Sequence, residues 1–126
     1  MRKKKNSKIF VQIASYRDPQ LVPTIKNMLE NAKNPENLTL GIARQFNPDD
    51  KFDDLSEYKN DERFRILDIP YQEAEGVCWA RSLVQQLYKD EEYTLQIDSH
   101  MRFAPNWDEE MINMVKQLQK KGHKKP

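Results

Sequence analysis

Four short apolar runs, each bounded by polar or turn-forming residues, constrain this chain more than any other feature. Residues 9–14 (Ile-Phe-Val-Gln-Ile-Ala) stop at Ser15-Tyr-Arg-Asp-Pro19, as a buried strand feeding a loop does. Residues 38–43, 64–69 and 93–97 read as three further strands. Between the first two, Leu21, Ile25, Met28 and Leu29 follow the helical period, and the helix they predict ends near Asn34-Pro35. Pro23 suits its first turn, where a missing N–H costs nothing. Residues 74–88 place Val77, Ala80, Val84 and Leu87 on one face of a second helix. Trp107, Met111, Met114 and Leu118 mark a third, opened after Pro105-Asn106, with Asp108, Glu109 and Glu110 at its positive end. Residues 47–60 are acidic and turn-rich without a period, which predicts a loop. The order β-α-β-β-α-β-α predicts an α/β fold, a mainly parallel sheet flanked by helices, with its ligands beyond the carboxyl ends of the strands.

At 126 residues, with three glycines, no internal repeat and no Gly/Ser linker, the chain reads as one domain over residues 8–119 between basic tails at 1–7 and 120–126. Lys and Arg (21) balance Asp and Glu (20), so no global field marks the chain for nucleic acid, and the tails lack the interleaved aromatics that stack bases. His123 has no partner of metal-ligand spacing. A lone cysteine, Cys78, allows neither an internal disulfide nor a zinc site and is expected to pack inside, in keeping with a reducing compartment. No apolar run approaches the ~20 residues of a membrane span, so a soluble, cytoplasmic protein is expected.

Asp98 and His100 follow the fourth strand at a spacing that sends both side chains to one side, with Ser99 pointing away. One carboxylate and one imidazole form a mixed oxygen and nitrogen pair suited to Mn²⁺ or Mg²⁺, and a diphosphate would supply further oxygens. By spacing alone, the same two residues also fit a solvated strand end.

The segment Leu95-Gln-Ile-Asp-Ser-His-Met-Arg-Phe103, with Pro105 and Trp107, resembles the Skp1-type polypeptide N-acetylglucosaminyltransferase family. That family has a GT-A (Rossmann-like) nucleotide-sugar-binding fold and uses Asp-x-His where Asp-x-Asp is commoner. Mucin-type polypeptide N-acetylgalactosaminyltransferases share the variant. Ile9-Phe-Val-Gln-Ile-Ala-Ser-Tyr-Arg-Asp-Pro19 and Glu75-Gly-Val-Cys-Trp-Ala-Arg81 extend the resemblance over roughly residues 9–114.

The resemblance implies transfer of N-acetylglucosamine from UDP-GlcNAc to a hydroxyl of a protein or glycan, with retention at the anomeric carbon. Asp98 and His100 would hold the divalent cation on the diphosphate. Arg81 would add positive charge beside it, and Ser15, Tyr16 and Arg17 would seat the uridine, with Gln45 near the uracil. Each has a plainer role open to it. Ser15, Tyr16 and Arg17 also suit a turn ahead of the first helix, where Asp18 is a plausible cap; Arg81 can pair with Glu73 or Glu75; Gln45 can face water. Trp79 and Trp107 are expected to be core residues. Family members continue past the Asp-x-His with acceptor-binding strands and a further metal ligand. The chain is therefore expected to be the donor-binding part of a truncated GT-A domain, completed by another copy or chain through an open sheet edge. A nonenzymatic nucleotide-sugar-binding module is the alternative, with a nucleic-acid-binding α/β domain behind it.

Overall fold

The computed structural model describes residues 8–120; the expected tail at 1–7, and residues 121–126 of the tail expected at 120–126, with His123, lie outside them. The elements follow the expected order: β1 (Ile9–Tyr16), α1 (Leu21–Asn31), β2 (Leu38–Phe46), β3 (Phe64–Pro70), α2 (Val77–Gln85), β4 (Tyr93–Asp98) and α3 (Trp107–Lys120). Lys120, expected to begin the carboxyl-terminal tail, is instead the last residue of α3. All strand pairings are parallel, and the sheet order is β3-β2-β1-β4. The chain builds outward from β1 to β3 and then crosses to the opposite flank of β1. That reversal opens a crevice at the carboxyl ends of β1 and β4, the place where open α/β sheets bind ligands.

Strand alternation divides the core into two layers. Ile9, Val11 and Ile13 of β1, with Leu38, Leu40 and Ile42 of β2, pack against Leu21, Ile25 and Met28 of α1 and Trp107 of α3. Burial of each such aliphatic side chain contributes about 1.5–3 kcal/mol, so this face holds most of the core. Phe10 and Ala43 point the other way, onto Ala80 and Val84 of α2. Gly41 permits that layer. A Cβ at this position would lie 2.5 Å from Cζ of the fully buried Phe10 ring and 3.2 Å from a methyl of Val84.

The connection from β2 to its parallel neighbour β3 carries no α-helix. Residues 47–63 make the crossover with one 3-10 turn, Ser56–Tyr58, which leaves Leu55 fully buried and Tyr58 stacked on Phe64. Arg44 fastens this loop from the sheet side. Its Nε donates to the Asp53 carbonyl at 2.6 Å, and its guanidinium pairs with Asp53 and with Asp68 of β3.

Three expectations about side chains give way to helix geometry. The second helix starts at Val77 and not near 74, because Gly76 takes φ +99, outside the helical region, after a 3-10 turn at Tyr71–Glu73. Val77 is consequently half exposed, and the inward face of α2 is Ala80 and Val84, with Leu87 packing on the same layer just past the end of the helix. Cys78 is exposed and not packed, since it lies about 200° around the helix from Ala80. In α3 the packed residues are Trp107, Met111, Ile112 and Val115, while Met114 faces solvent. Trp107 is buried as expected, its indole N–H donating to the Met28 carbonyl at 3.0 Å; Trp79 packs, partly buried, against the Phe10 layer.

After β4 the chain lies as a strap along α1. The Thr24 hydroxyl donates to the Ser99 carbonyl and accepts from the Met101 N–H, both at 3.0 Å. Arg102 Nη2 donates to Gln20 Oε1 at 2.6 Å, Phe103 N–H to Asn27 Oδ1 at 2.5 Å, and Asn106 N–H to the Asn31 carbonyl at 2.6 Å. Gln20, Thr24, Asn27 and Asn31 follow helical spacing, so one polar edge of α1 fixes where the β4 exit lies.

Candidate functional site: the carboxyl ends of the strands

An open cavity of 310 Å³ sits at the carboxyl end of the sheet, lined by Ala14 and Tyr16 of β1, Gln45 of β2, and Tyr71, Ala74, Gly76 and Val77 from the β3–α2 connection. Its form follows from the strands. Alternation puts Ala14 and Tyr16 on the same face as Phe10, and the short Ala14 leaves room where a larger side chain would fill the space. Gly76 stands at the rim with φ +99, a backbone conformation that favours glycine, and a Cβ there would meet nothing within 4 Å. Gln45 is buried and held by its amide, which donates to the Ser15 carbonyl at 3.0 Å.

Strand register carries the site sideways. Ala14 pairs directly with Asp98 in the β1–β4 ladder, on the same face of neighbouring strands. Asp98 thus stands beside the cavity floor, with its side chain 58% exposed. Across from it, Arg81 of α2 brings Nη2 to 3.6 Å from Asp98 Oδ1. Arg81 is drawn to Asp98 rather than to Glu73 or Glu75.

The Ser15-Tyr16-Arg17 group divides. Tyr16 lines the cavity and is exposed. Ser15 points to the α1 layer, fully buried, its hydroxyl without a hydrogen-bond partner among the described residues. Arg17 takes φ +46, and its N–H donates to the Gln45 carbonyl at 2.9 Å, joining the ends of β1 and β2. Its guanidinium donates from Nε to Asp50 Oδ2 at 2.8 Å and lies over the Tyr71 ring, 5.0 Å from the centroid. The hydrogen bond to Asp50 raises its already high pKa. Arg17 therefore braces Tyr71 at the rim while its charge is met by Asp50.

Asp18 joins the two loops of the crevice. Its Oδ1 accepts from the Gln20 N–H at 2.8 Å, an Asx turn one residue ahead of α1 in place of the expected side-chain cap. Its Oδ2 accepts from the Ser99 hydroxyl at 2.5 Å and faces His100 Nδ1 at 3.3 Å. Burial pushes the Asp18 carboxyl up, but the hydrogen bonds from Ser99, Gln20 and His100 outweigh it and leave the group below its ordinary value. Ser99 and His100 both lie past the end of β4 and both face the same Asp18 oxygen, so the expected alternation, with Ser99 turned away from a shared Asp98 and His100 side, does not extend beyond Asp98. Asp98 and His100 are thus engaged by different partners, Arg81 and Asp18.

Among the described residues, no group of three or more His, Cys, Asp or Glu is arranged to hold a metal ion. Asp98 and His100 offer one oxygen and one nitrogen donor, both on exposed side chains, 58% and 65% respectively. That donor set fits a divalent cation taking most of its ligands from a bound diphosphate and water.

Asp18, Tyr71, Gly76 and Asp50 were not among the candidate ligand-site residues that the sequence points to. Gly76, as the glycine in front of an apolar helical run, and Asp18, as a plausible helix cap, carried local signals, but neither pointed to a ligand. The role of Asp18 depends on partners more than 80 residues away.

A four-stranded parallel sheet with helices on both faces and an open, polar-edged crevice at its strand ends defines a Rossmann-like domain of the kind that binds nucleotides. The model of the family described as Glycosyltransferase (GlcNAc) matches residues 8–61 and 51–125, which together take in every element of the fold. The chain belongs to this family. No curated protein matches it.

Proposed function

We propose that the crevice is the donor site of a UDP-sugar-dependent glycosyltransferase of the Skp1-type polypeptide N-acetylglucosaminyltransferase group. The substrate is UDP-GlcNAc, and the sugar passes with retention to a hydroxyl of a protein or glycan. The observation that carries the reading is the pairing of Ala14 with Asp98, which sets an exposed carboxylate beside a cavity rimmed by two tyrosines, with Arg81 3.6 Å away. The cavity takes the uracil, Tyr16 and Tyr71 offer it aromatic surface, and Gln45 lies at the rear. Asp98 and His100 hold Mn²⁺ or Mg²⁺, which when bound neutralises charge on the diphosphate. Arg81 adds a guanidinium that fits phosphate oxygens and stabilises the leaving group as the glycosidic bond breaks.

Calorimetric titration of UDP and UDP-GlcNAc, with Mn²⁺ and with chelator, tests this. Binding that needs the cation and is lost in both Asp98→Ala and His100→Ala is expected. Equal binding in chelator, or binding that survives both substitutions, would contradict it. Cation-dependent binding without release of UDP in the presence of acceptor would favour a nonenzymatic nucleotide-sugar-binding module.

A further inference from the structure

The contacts of Asp18 reach across the crevice in a way that a turn residue does not require. One carboxylate collects three donors from two segments: the Gln20 N–H before α1, and the Ser99 hydroxyl and His100 Nδ1 after β4. A carboxylate oxygen accepts and has no proton to give, so Nδ1 must be the ring nitrogen that carries the hydrogen. In the neutral ring Nε2 is then left with its lone pair, on the side away from Asp18. The side chain of His100 is 65% exposed, so that lone pair is open to an incoming ligand, whereas Asp18 itself is 16% exposed and braced from three directions. The strap along α1 holds the backbone here, through Thr24 on the Ser99 carbonyl and the Met101 N–H.

We propose that Asp18 is a positioning residue, holding His100 in the Nδ1–H form and presenting Nε2 to a divalent cation at the crevice. The inference rests on the donor-site reading for the identity of the ligand, but the tautomer it assigns is a property of the chain alone. Asp18 acts through His100 and touches no substrate. Carboxylates that fix metal-binding imidazoles in this way typically change metal affinity about 10–100-fold when removed.

The test has two arms. First, the ring nitrogens of His100 are read by long-range ¹H–¹⁵N correlation of the histidine-labelled full chain, without cation, at a pH where the ring is neutral; His100→Gln separates the signal from that of His123. The unmodified chain is expected to show the Nδ1–H form. Asp18→Ala is expected to revert to the Nε2–H form that free imidazole side chains favour. Asp18→Asn keeps an acceptor for the Gln20 N–H while turning an amide N–H toward His100, and should give the same reversal should the alanine variant not fold. Ser99→Ala, which leaves Asp18 facing His100, should keep the Nδ1–H form. An Nε2–H ring in the unmodified chain, or an Nδ1–H ring that persists in the Asp18 variants, would overturn the proposal. In the second arm Mn²⁺ is titrated with UDP present, and the Asp18→Asn affinity is expected to fall about 10–100-fold. An unchanged affinity despite a reversed tautomer would also overturn it. Absence of Mn²⁺ binding in an unmodified chain with the Nδ1–H ring would instead contradict the donor-site reading, and with it the ligand assigned to Nε2.

Discussion

Single residues show their part where a group has nowhere else to go, as Glu91 and the Phe10 ring beside Gly41 do. Glu91 is 2% exposed, and its carboxylate accepts from Arg65 Nη1 at 2.8 Å and from the Asp90 N–H at 3.2 Å. Arg65→Ala leaves that charge buried without its cation, and chemical denaturation should show a loss of about 3–5 kcal/mol. Burial pushes the Glu91 carboxyl up, but its hydrogen bonds and the charge of Arg65 prevail and hold it below 4.5. A carboxyl depressed in the folded state stabilises fully above its unfolded value and loses that contribution as pH falls through the folded one. The melting temperature of the unmodified chain should therefore drop as pH falls below 4.5, and Arg65→Ala should flatten that dependence. Gly41→Ala forces the Phe10 ring from a position already shared with Tyr88 and Arg65. Calorimetry should give a cost of about 1–3 kcal/mol, and a neutral substitution would show that the ring has room to move.

At the scale of elements, the strap after β4 is the part on which the crevice depends. Thr24→Val keeps the shape of the side chain but removes the hydroxyl bridging the Ser99 carbonyl and the Met101 N–H. Each buried group left unpaired costs about 1–3 kcal/mol. Hydrogen exchange should accelerate at Met101 while the β1 amides stay protected; uniform acceleration would mean that the strap is not a separate unit. This element also marks where sequence legibility ends. The strands and α1 were readable because burial imposes periods of two and 3.6 on their own residues, as at Ile9, Val11 and Ile13 or Leu21, Ile25 and Met28. The start of α2 was misplaced because a positive φ at Gly76 ends one geometry before the helical pattern takes over. The strap, the Asp18 bridge and the Arg17–Asp50 pair leave no period at all, since each joins residues distant in the chain. Asp98 was legible as a candidate because it stands where the fourth apolar run ends, and the structure makes it the last residue of β4. Its pairing with Arg81 in place of Glu73 or Glu75 was not, because sheet register decides it.

At the scale of the whole molecule, the sheet order turns a list of polar residues into one crevice. With β4 beside β1, the ends of two strands separated by more than 80 residues in the chain present Ala14 and Asp98 side by side, and α2, in the layer these residues face, brings Arg81 over them. Among the described residues no helix is long and apolar enough to cross a membrane. Mapping UDP onto the chain by amide chemical shifts, with Mg²⁺ present, tests the proposal that the carboxyl ends of the strands form a nucleotide-sugar donor site. Shifts concentrated at Ala14, Tyr16, Gly76, Val77 and Asp98, and lost in Asp98→Ala, are the predicted result; shifts elsewhere on the surface, or none at saturating UDP, would contradict it.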